Sequence, residues 1–244
     1  MLLDSPPVGK HKPLKGAIPR AFRRFASRAT RCIACGARSR EPWCTACFRD
    51  LPWNDHACRL CAAQLPPLPT MICGACAQRP PGFDLARAAF AYAWPVDRLI
   101  QRFKFDGNLA TGRVLALALG DYLQLQALPT PDCLVPVPLH RGRLAERGFN
   151  QAAEICRVLA HPLNTRTEPN LLARIRATPA QTGLGSAARR RNLAGAFVCR
   201  RPVAGLRIAV VDDVITTGST AEAITRVLKK AGAAEVYIYA IARA

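Results

Sequence analysis

A chain of 244 residues, half of them hydrophobic, is long enough for one domain of ordinary size and a small additional module. Its most lipid-like stretch, residues 114–119, ends at Gly120 and Asp121; this excludes a membrane span there, because a transmembrane helix needs roughly 20 apolar residues. The formal net charge of +19 favours polyanionic partners, such as nucleic acid, phosphorylated metabolites or an acidic membrane surface, although a GC-rich genome that prefers arginine would produce the same excess.

The first segment, residues 1–31, carries eight Lys or Arg and one acid, Asp4, and is interrupted by four prolines. This composition predicts a basic, flexible arm. It lacks the apolar core of a secretion signal. We therefore expect a cytoplasmic protein, and in a reducing compartment cysteines serve more often as metal ligands than in disulfides.

Residues 32–80 contain eight of the eleven cysteines, arranged as four C-x-x-C pairs. Two residues between cysteines allow both thiolates to bind one ion, and two such pairs complete a tetrahedral site of four cysteines. A redox pair would instead open a helix after a strand. We predict a double zinc-ribbon module with one or two structural Zn²⁺ ions. The simplest pairing is sequential, although an interleaved pairing is possible; the predicted ligands are Cys32, Cys35, Cys44, Cys47, Cys58, Cys61, Cys73 and Cys76.

From residue 83 to 244, strand-like and helix-like segments alternate. Short apolar runs at 133–137, 206–211 and 236–241 predict buried strands. Apolar residues at helical spacing predict helices over 149–160 and 219–232, with Gly232 suited to a helix C-terminus. Strand, helix and strand in this order predict an α/β domain with an open, mainly parallel sheet.

One stretch of this domain, "VVDDVITTGST" (residues 210–220), places two acids at the predicted end of a strand. Ligands bind at this edge of open α/β sheets. The following backbone amides, hydroxyls and helix N-terminus suit a monophosphate, and carboxylates suit the two vicinal hydroxyls of a ribose. The stretch contains neither the Walker spacing nor the dinucleotide G-x-G-x-x-G pattern.

The same stretch resembles the phosphoribosyl pyrophosphate (PRPP) motif of type I phosphoribosyltransferases. The resemblance implies a fold of that type, with Mg²⁺ accompanying PRPP. It implies that Asp212 and Asp213 hold the ribose hydroxyls. It assigns the 5′-phosphate to Thr216, Thr217, Gly218, Ser219 and Thr220.

Three further stretches resemble blocks of the ComF family of competence-associated proteins. They are "FKFDG" (103–107), "VPVPLHRGRLAERGFNQA" (135–152) and "TPAQTGLGSAARRRNLAGAF" (178–197). Cysteine knuckles ahead of a phosphoribosyltransferase-like domain are also the arrangement of that family, so the resemblance spans residues 32–244. It implies a role in natural competence, with the competence machinery and single-stranded DNA as partners.

The loop expected after residues 133–137 lies at the same sheet edge and carries enough positive charge for a pyrophosphate, from His140, Arg141, Arg143 and Arg147. The alternative is a solvated surface. Lys104 is either a ligand contact or an ordinary surface lysine. The basic stretch 182–192 is either a loop that closes over the ligand or a plain connection.

Three functions remain open from the sequence. The first is a PRPP-binding protein with zinc knuckles that handles single-stranded DNA. The second is an active phosphoribosyltransferase with an unidentified acceptor, and the third is a PRPP sensor without turnover. In purine-salvage relatives an acid occupies the position of Thr216, which argues against hypoxanthine or guanine as the acceptor.

Overall fold

The computed structural model describes residues 31–66, 71–126, 128–177 and 193–244. The predicted basic arm, apart from Arg31, and the basic stretch 182–192 lie outside these ranges. Within them, the strands are β1 (Leu85–Ala91), β2 (Cys133–Pro136), β3 (Arg166–Thr167), β4 (Leu172–Arg174), β5 (Phe197–Cys199), β6 (Arg207–Ile215) and β7 (Glu235–Arg243). The helices are α1 (Thr45–Arg49), α2 (Gly74–Gln78), α3 (Val96–Phe105), α4 (Leu109–Leu125), α5 (Arg141–Arg147), α6 (Gln151–Ala160) and α7 (Ser219–Lys230).

Five strands form one sheet in the order β1-β7-β6-β2-β3, and all of its described pairings are parallel. Strands β4 and β5 form a separate antiparallel pair. The predicted α/β class with an open, mainly parallel sheet is therefore confirmed. Parallel order brings the carboxyl ends of β1, β7, β6 and β2 to the same edge, where open α/β sheets bind ligands.

Strand β6 lies in the interior of the sheet, between β2 and β7. Its apolar run, Ile208–Val211, is buried on both faces because alternate residues enter two different cores. Ala209 and Val211 join a core that contains residues of α3, α4 and α6, whereas Ile208 and Val210 join one that contains residues of α7. Helices thus cover both faces of the sheet, as the fully apolar strand predicted.

The end of β6 differs from the prediction. We expected the strand to end before the two aspartates, but it continues through Asp212 and Asp213 to Ile215. The reason is non-local: β7 supplies partners for the additional residues, with Val214 opposite Ala242 and Ile215 opposite Arg243. Since successive residues of a strand point to opposite faces, the two carboxylates lie on different sides of β6.

The cysteine region packs on the edge of the sheet beside β1. Trp53 forms an antiparallel bridge with Phe90, and their ring centroids lie 4.5 Å apart. The amide of Asn54 donates to the carbonyl of Ala89 over 2.9 Å. These contacts cover an edge strand that would otherwise expose unpaired backbone groups. The predicted limits of the two domains, 32–80 and 83–244, stay a prediction.

The described helices include no segment that combines the length and the hydropathy required to cross a bilayer.

Candidate functional site

The eight predicted metal ligands form two separate groups of four. In each group the Sγ atoms all lie within 4.8 Å of one another. Of the two pairings that the sequence allowed, the structure adopts the sequential one. The first group is Cys32, Cys35, Cys44 and Cys47, and the second is Cys58, Cys61, Cys73 and Cys76.

Short helices shape one half of each group. Cys44 and Cys73 precede α1 and α2, and their sulfurs accept hydrogen bonds over 3.4 Å from the amides of Cys47 and Cys76. In the second group the two pairs are also linked directly, because the amide of Cys73 donates to Sγ of Cys58 over 3.3 Å. These turns aim both sulfurs of a pair at one point, as a tetrahedral site requires.

The electrostatics of these sulfurs fit a bound cation. Burial raises the pKa of Cys32 and Cys58. Hydrogen bonds from backbone amides lower it by a larger amount, so that both pKa values fall to about 7. Burial and the neighbouring sulfurs raise the pKa of Cys47 and Cys76 far above the usual range. Four adjacent thiolates therefore repel one another unless a cation compensates them. A donor set of four cysteine sulfurs suits Zn²⁺, which would serve structure because all four positions are taken by protein.

The predicted phosphate loop joins β6 to α7. It turns at Gly218, whose φ of +75° is a left-handed conformation that favours glycine. The hydroxyls of Thr217 and Ser219 are hydrogen-bonded to each other over 2.8 Å, and Thr216 and Thr217 are exposed. Helix α7 begins at Ser219, so its first amides are available to an anion.

Asp212 shares a cavity with this loop. The cavity has a volume of about 30 Å³, close to that of one water molecule. Besides Asp212, its lining includes four of the five predicted phosphate residues, namely Thr216, Gly218, Ser219 and Thr220. One of the two predicted ribose ligands thus lies directly beside the predicted phosphate ligands.

The two aspartates are held differently. Nζ of Lys104 lies 2.9 Å from Oδ2 of Asp213, whereas Oδ1 of Asp212 accepts a hydrogen bond from the amide of Asp213. Burial, followed by the charge of Asp213, raises the pKa of Asp212 to about 7, and the charges of Lys104 and Arg174 offset part of this rise. The structure thus places Lys104 beside Asp213, and a ligand contact for Lys104 stays a prediction.

Lys104 is positioned by packing between two sequence blocks that are far apart in the chain. The ring centroids of Phe103 and Phe149 lie 5.7 Å apart. On the other side of Lys104, the guanidinium of Arg147 lies 5.4 Å from the centroid of the exposed Phe105 ring. Arg147 also donates to Oε1 of Gln151 over 2.8 Å. The stretches 103–107 and 135–152 therefore form one surface beside Asp213.

The candidate pyrophosphate residues lie on the short helix α5 and not on a loop. His140 caps this helix, since its Nδ1 accepts a hydrogen bond from the amide of Gly142, and Gly148 ends it with a φ of +78°. Arg141 and Arg143 are exposed. Arg143 lies close enough to Arg174 for its charge to lower the Arg174 pKa, after the larger effect of burial. A pyrophosphate role for His140, Arg141, Arg143 and Arg147 remains a prediction.

Two residues of the site have no signal in the sequence. Arg174 at the end of β4 lies near Asp212, whose charge raises the Arg174 pKa. Arg243 at the end of β7 donates to the carbonyls of Cys61 and Ile215, each over 3.3 Å. It therefore links the second cysteine group to the residue before the phosphate loop. Both arginines reach the site through strand pairing, which no local motif reveals.

Comparison with known proteins identifies the family. The chain is 37% identical to DNA utilization protein YhgH of Salmonella typhi over 82% of this chain and 89% of that protein. It is 34% identical to competence protein F of Haemophilus influenzae over 88% of this chain and 97% of that protein. The chain belongs to the ComF family. Competence protein ComFC of Streptococcus pneumoniae is a more distant member, 27% identical over 64% of this chain and 67% of that protein.

No protein-family model matches the chain. Among solved structures, glutamine PRPP amidotransferase of B. subtilis, complexed with ADP and GMP, covers 54% of this chain and 26% of its own length at 20% identity and a TM-score of 0.38. Purine phosphoribosyltransferase of Pyrococcus horikoshii covers 54% of this chain and 83% of its own length at 19% identity and a TM-score of 0.32. The fold class of this ComF member rests on its own sheet.

Replacing one sulfur in each cysteine group tests whether the two groups are independent metal sites. We expect two zinc ions per chain, and we expect Cys44→Ser and Cys73→Ser each to lose one, because three thiolates bind zinc more weakly than four. Cys199→Ser is the matched control, since Cys199 lies outside both groups, and it should retain two. Zinc per chain is measured by mass spectrometry of the dialysed protein. An interleaved pairing predicts that the remaining C-x-x-C pairs regroup around the metal ions. Loss of both ions from either single variant would contradict two independent sites.

The raised pKa of Asp212 predicts a pH-dependent stability. Its pKa rises from 3.8 to about 7 on folding, so its stabilising contribution is complete below about pH 4 and is lost as the pH rises through 7. Asp212→Asn should remove this slope and raise the free energy of unfolding at pH 8 by on the order of 1–2 kcal/mol. Urea unfolding of both proteins at pH 5 and pH 8 measures the difference. Equal stabilities at pH 8 would show that the carboxylate is not under electrostatic strain.

Proposed function

We propose that this ComF member binds PRPP with Mg²⁺ at the carboxyl edge of β6, and that it serves natural competence by handling single-stranded DNA. The observation that carries the proposal is that both aspartates lie at the end of β6, directly before the phosphate loop and α7, with Asp212 beside four residues of that loop. This arrangement combines acceptors for sugar hydroxyls with donors for a phosphate within one small site.

The chemistry of each group supports PRPP as the ligand. The amides of the first turn of α7 and the hydroxyls of Thr216, Thr217 and Ser219 suit a 5′-phosphate, which the positive end of the helix also favours. A ribose attached to that phosphate extends over the end of β6, where each carboxylate accepts hydrogen bonds. Lys104, which neutralises Asp213 over 2.9 Å, is then in a position to turn toward the anionic ligand.

The pyrophosphate of PRPP would lie toward α5. His140, Arg141, Arg143 and Arg147 supply positive charge on this side of the site, and Arg174 adds another guanidinium near Asp212. Mg²⁺, when bound with PRPP, neutralises pyrophosphate oxygens. The proposal is limited to binding; the threonine at position 216, where purine-salvage relatives have an acid, argues only against hypoxanthine or guanine as the acceptor. Pyrophosphate release in the presence of candidate acceptors would instead identify a phosphoribosyltransferase.

The DNA partner is supported by charge and by the relatives. Two relatives are named for DNA utilization and for competence, and the net charge of +19 suits the phosphates of a nucleic acid strand. Zinc at both cysteine groups would hold the module in its folded form. Thiolate ligands require a reducing compartment, so we assign the protein to the cytoplasm, where it would meet the competence machinery.

Removing both carboxylates tests the PRPP site. We expect Asp212→Asn combined with Asp213→Asn to weaken PRPP binding by at least about 100-fold, because hydrogen bonds to charged acceptors contribute about 1.5–3 kcal/mol each. The zinc content should not change. The control is Asp50→Asn combined with Asp97→Asn, which changes the net charge equally at residues outside the site. Calorimetric titration with PRPP and Mg²⁺ measures both, and an unchanged affinity of the first variant would refute the assignment.

A further inference from the structure

A second, larger cavity lies between the cysteine module and α7, and Thr217, Gly218 and Ser219 of the phosphate loop form part of its wall. Its volume is about 460 Å³. We name it the arginine cavity, after Arg79, Arg226 and Arg243 in its lining, which also includes Cys61 and Cys76 of the second cysteine group. We propose that the arginine cavity binds backbone phosphates of single-stranded nucleic acid. This inference rests on the DNA partner of the proposed function and assigns a place to it.

The charge of the cavity favours an anion. Arg79 and Arg226 are exposed and Arg243 is half-buried. Of the described residues in the lining, the one acid is Glu222, and it is already engaged, because Oε1 accepts a hydrogen bond from the amide of Gly82 over 3.0 Å. Three guanidiniums therefore face one committed carboxylate. Guanidinium groups match phosphate geometry and bind it with two hydrogen bonds.

The arginine cavity is distinct from the cavity beside Asp212. The two cavities share Ile215, Gly218 and Ser219 as a common wall. Asp212 lines only the small cavity, and the three arginines line only the large one. The three arginines supply more positive charge than one terminal 5′-phosphate needs, as a ligand with further phosphates would require.

The shape of the cavity favours an unpaired strand over a duplex. One wall is the cysteine module, through Ala75, Cys76 and the Pro80–Pro81 pair, and the opposite wall is the first half of α7. A space of about 460 Å³ between two such walls admits a nucleotide-sized group and is too small to enclose a base-paired helix. The module also carries further exposed arginines outside the cavity, and a strand, unlike a mononucleotide, can use positive charge beyond one site. They are Arg38, Arg40 and Arg49.

Two hydrogen bonds hold the Arg243 side chain in the wall of the cavity. It donates to the carbonyl of Cys61, next to the second group of sulfurs, and to the carbonyl of Ile215 at the end of β6. The cavity wall is thus tied both to the cysteine module and to the sheet. Arg79 and Arg226 are the better positions for a test, because they are exposed and their replacement leaves these two hydrogen bonds in place.

The test measures oligonucleotide affinity as a function of salt. The cavity variant is Arg79→Gln combined with Arg226→Gln, and the matched control is Arg98→Gln combined with Arg102→Gln, two exposed arginines of α3 that remove the same charge. Fluorescence anisotropy with labelled oligo-dT follows binding between about 50 and 300 mM salt, since phosphate contacts weaken steeply with salt. We expect at least about tenfold weaker binding for the cavity variant and a salt slope reduced by about 1.4, since each lost single-strand contact removes about 0.7.

The outcomes separate this inference from the proposed function. Equal affinity and slope in the cavity variant and the control, with the parent protein binding the oligonucleotide, would overturn the arginine cavity alone. No binding by the parent protein would overturn the DNA partner and with it this inference. PRPP affinity is measured in the same three proteins, because the arginine cavity shares residues of the phosphate loop. Weaker oligonucleotide binding with unchanged PRPP affinity supports the inference, whereas an equal loss of both in the cavity variant would assign the arginines to the PRPP site and overturn it. Full displacement of the oligonucleotide by dTMP at equal phosphate concentration would assign the cavity to a mononucleotide and contradict the strand.

Discussion

The parallel pairing of β6 with β2 and β7 is the constraint on which the candidate site depends. Pairing with β7 continues to Ile215, the last residue before the phosphate loop. It therefore holds the backbone of both aspartates in the strand. Pairing with β2 ends at Pro136, so that the chain which follows, with His140 and α5, begins at the same edge. The sheet therefore aligns the main groups of the site. Helix α3 adds Lys104 from one face of the sheet, and the start of α7 adjoins the phosphate loop on the other face.

The arrangement has an electrostatic cost. Burial of Asp212, together with the charge of the adjacent Asp213, raises the pKa of Asp212. Lys104 and Arg174 reduce the cost without removing it. A ligand whose hydroxyls donate to both aspartates and whose phosphates bind the surrounding cations would lower the electrostatic cost for the carboxylates and for the cations.

The sequence predicted those features that depend on local spacing. The four C-x-x-C pairs predicted both cysteine groups, and hydrophobic periodicity predicted β2, α6, α7 and the parallel sheet. Features that arise from pairing between distant segments were missed or misplaced. The extension of β6 past the aspartates depends on β7, and the roles of Arg174 and Arg243 depend on strands that end near the site. Packing of Trp53 on Phe90 is equally non-local. The sequence of the cysteine region and the sequence of β1, each considered by itself, do not predict this contact.

The central claim is that a sugar phosphate binds where β6 passes into α7. Hydrogen–deuterium exchange of the zinc-loaded protein, with and without PRPP and Mg²⁺, tests it most directly, because the loop amides that would bind the phosphate are themselves the exchanging groups. The account predicts slower exchange in peptides that cover residues 212–220, with little change in peptides from β3. Unchanged exchange at 212–220 at saturating PRPP, or protection confined to other parts of the chain, would contradict it.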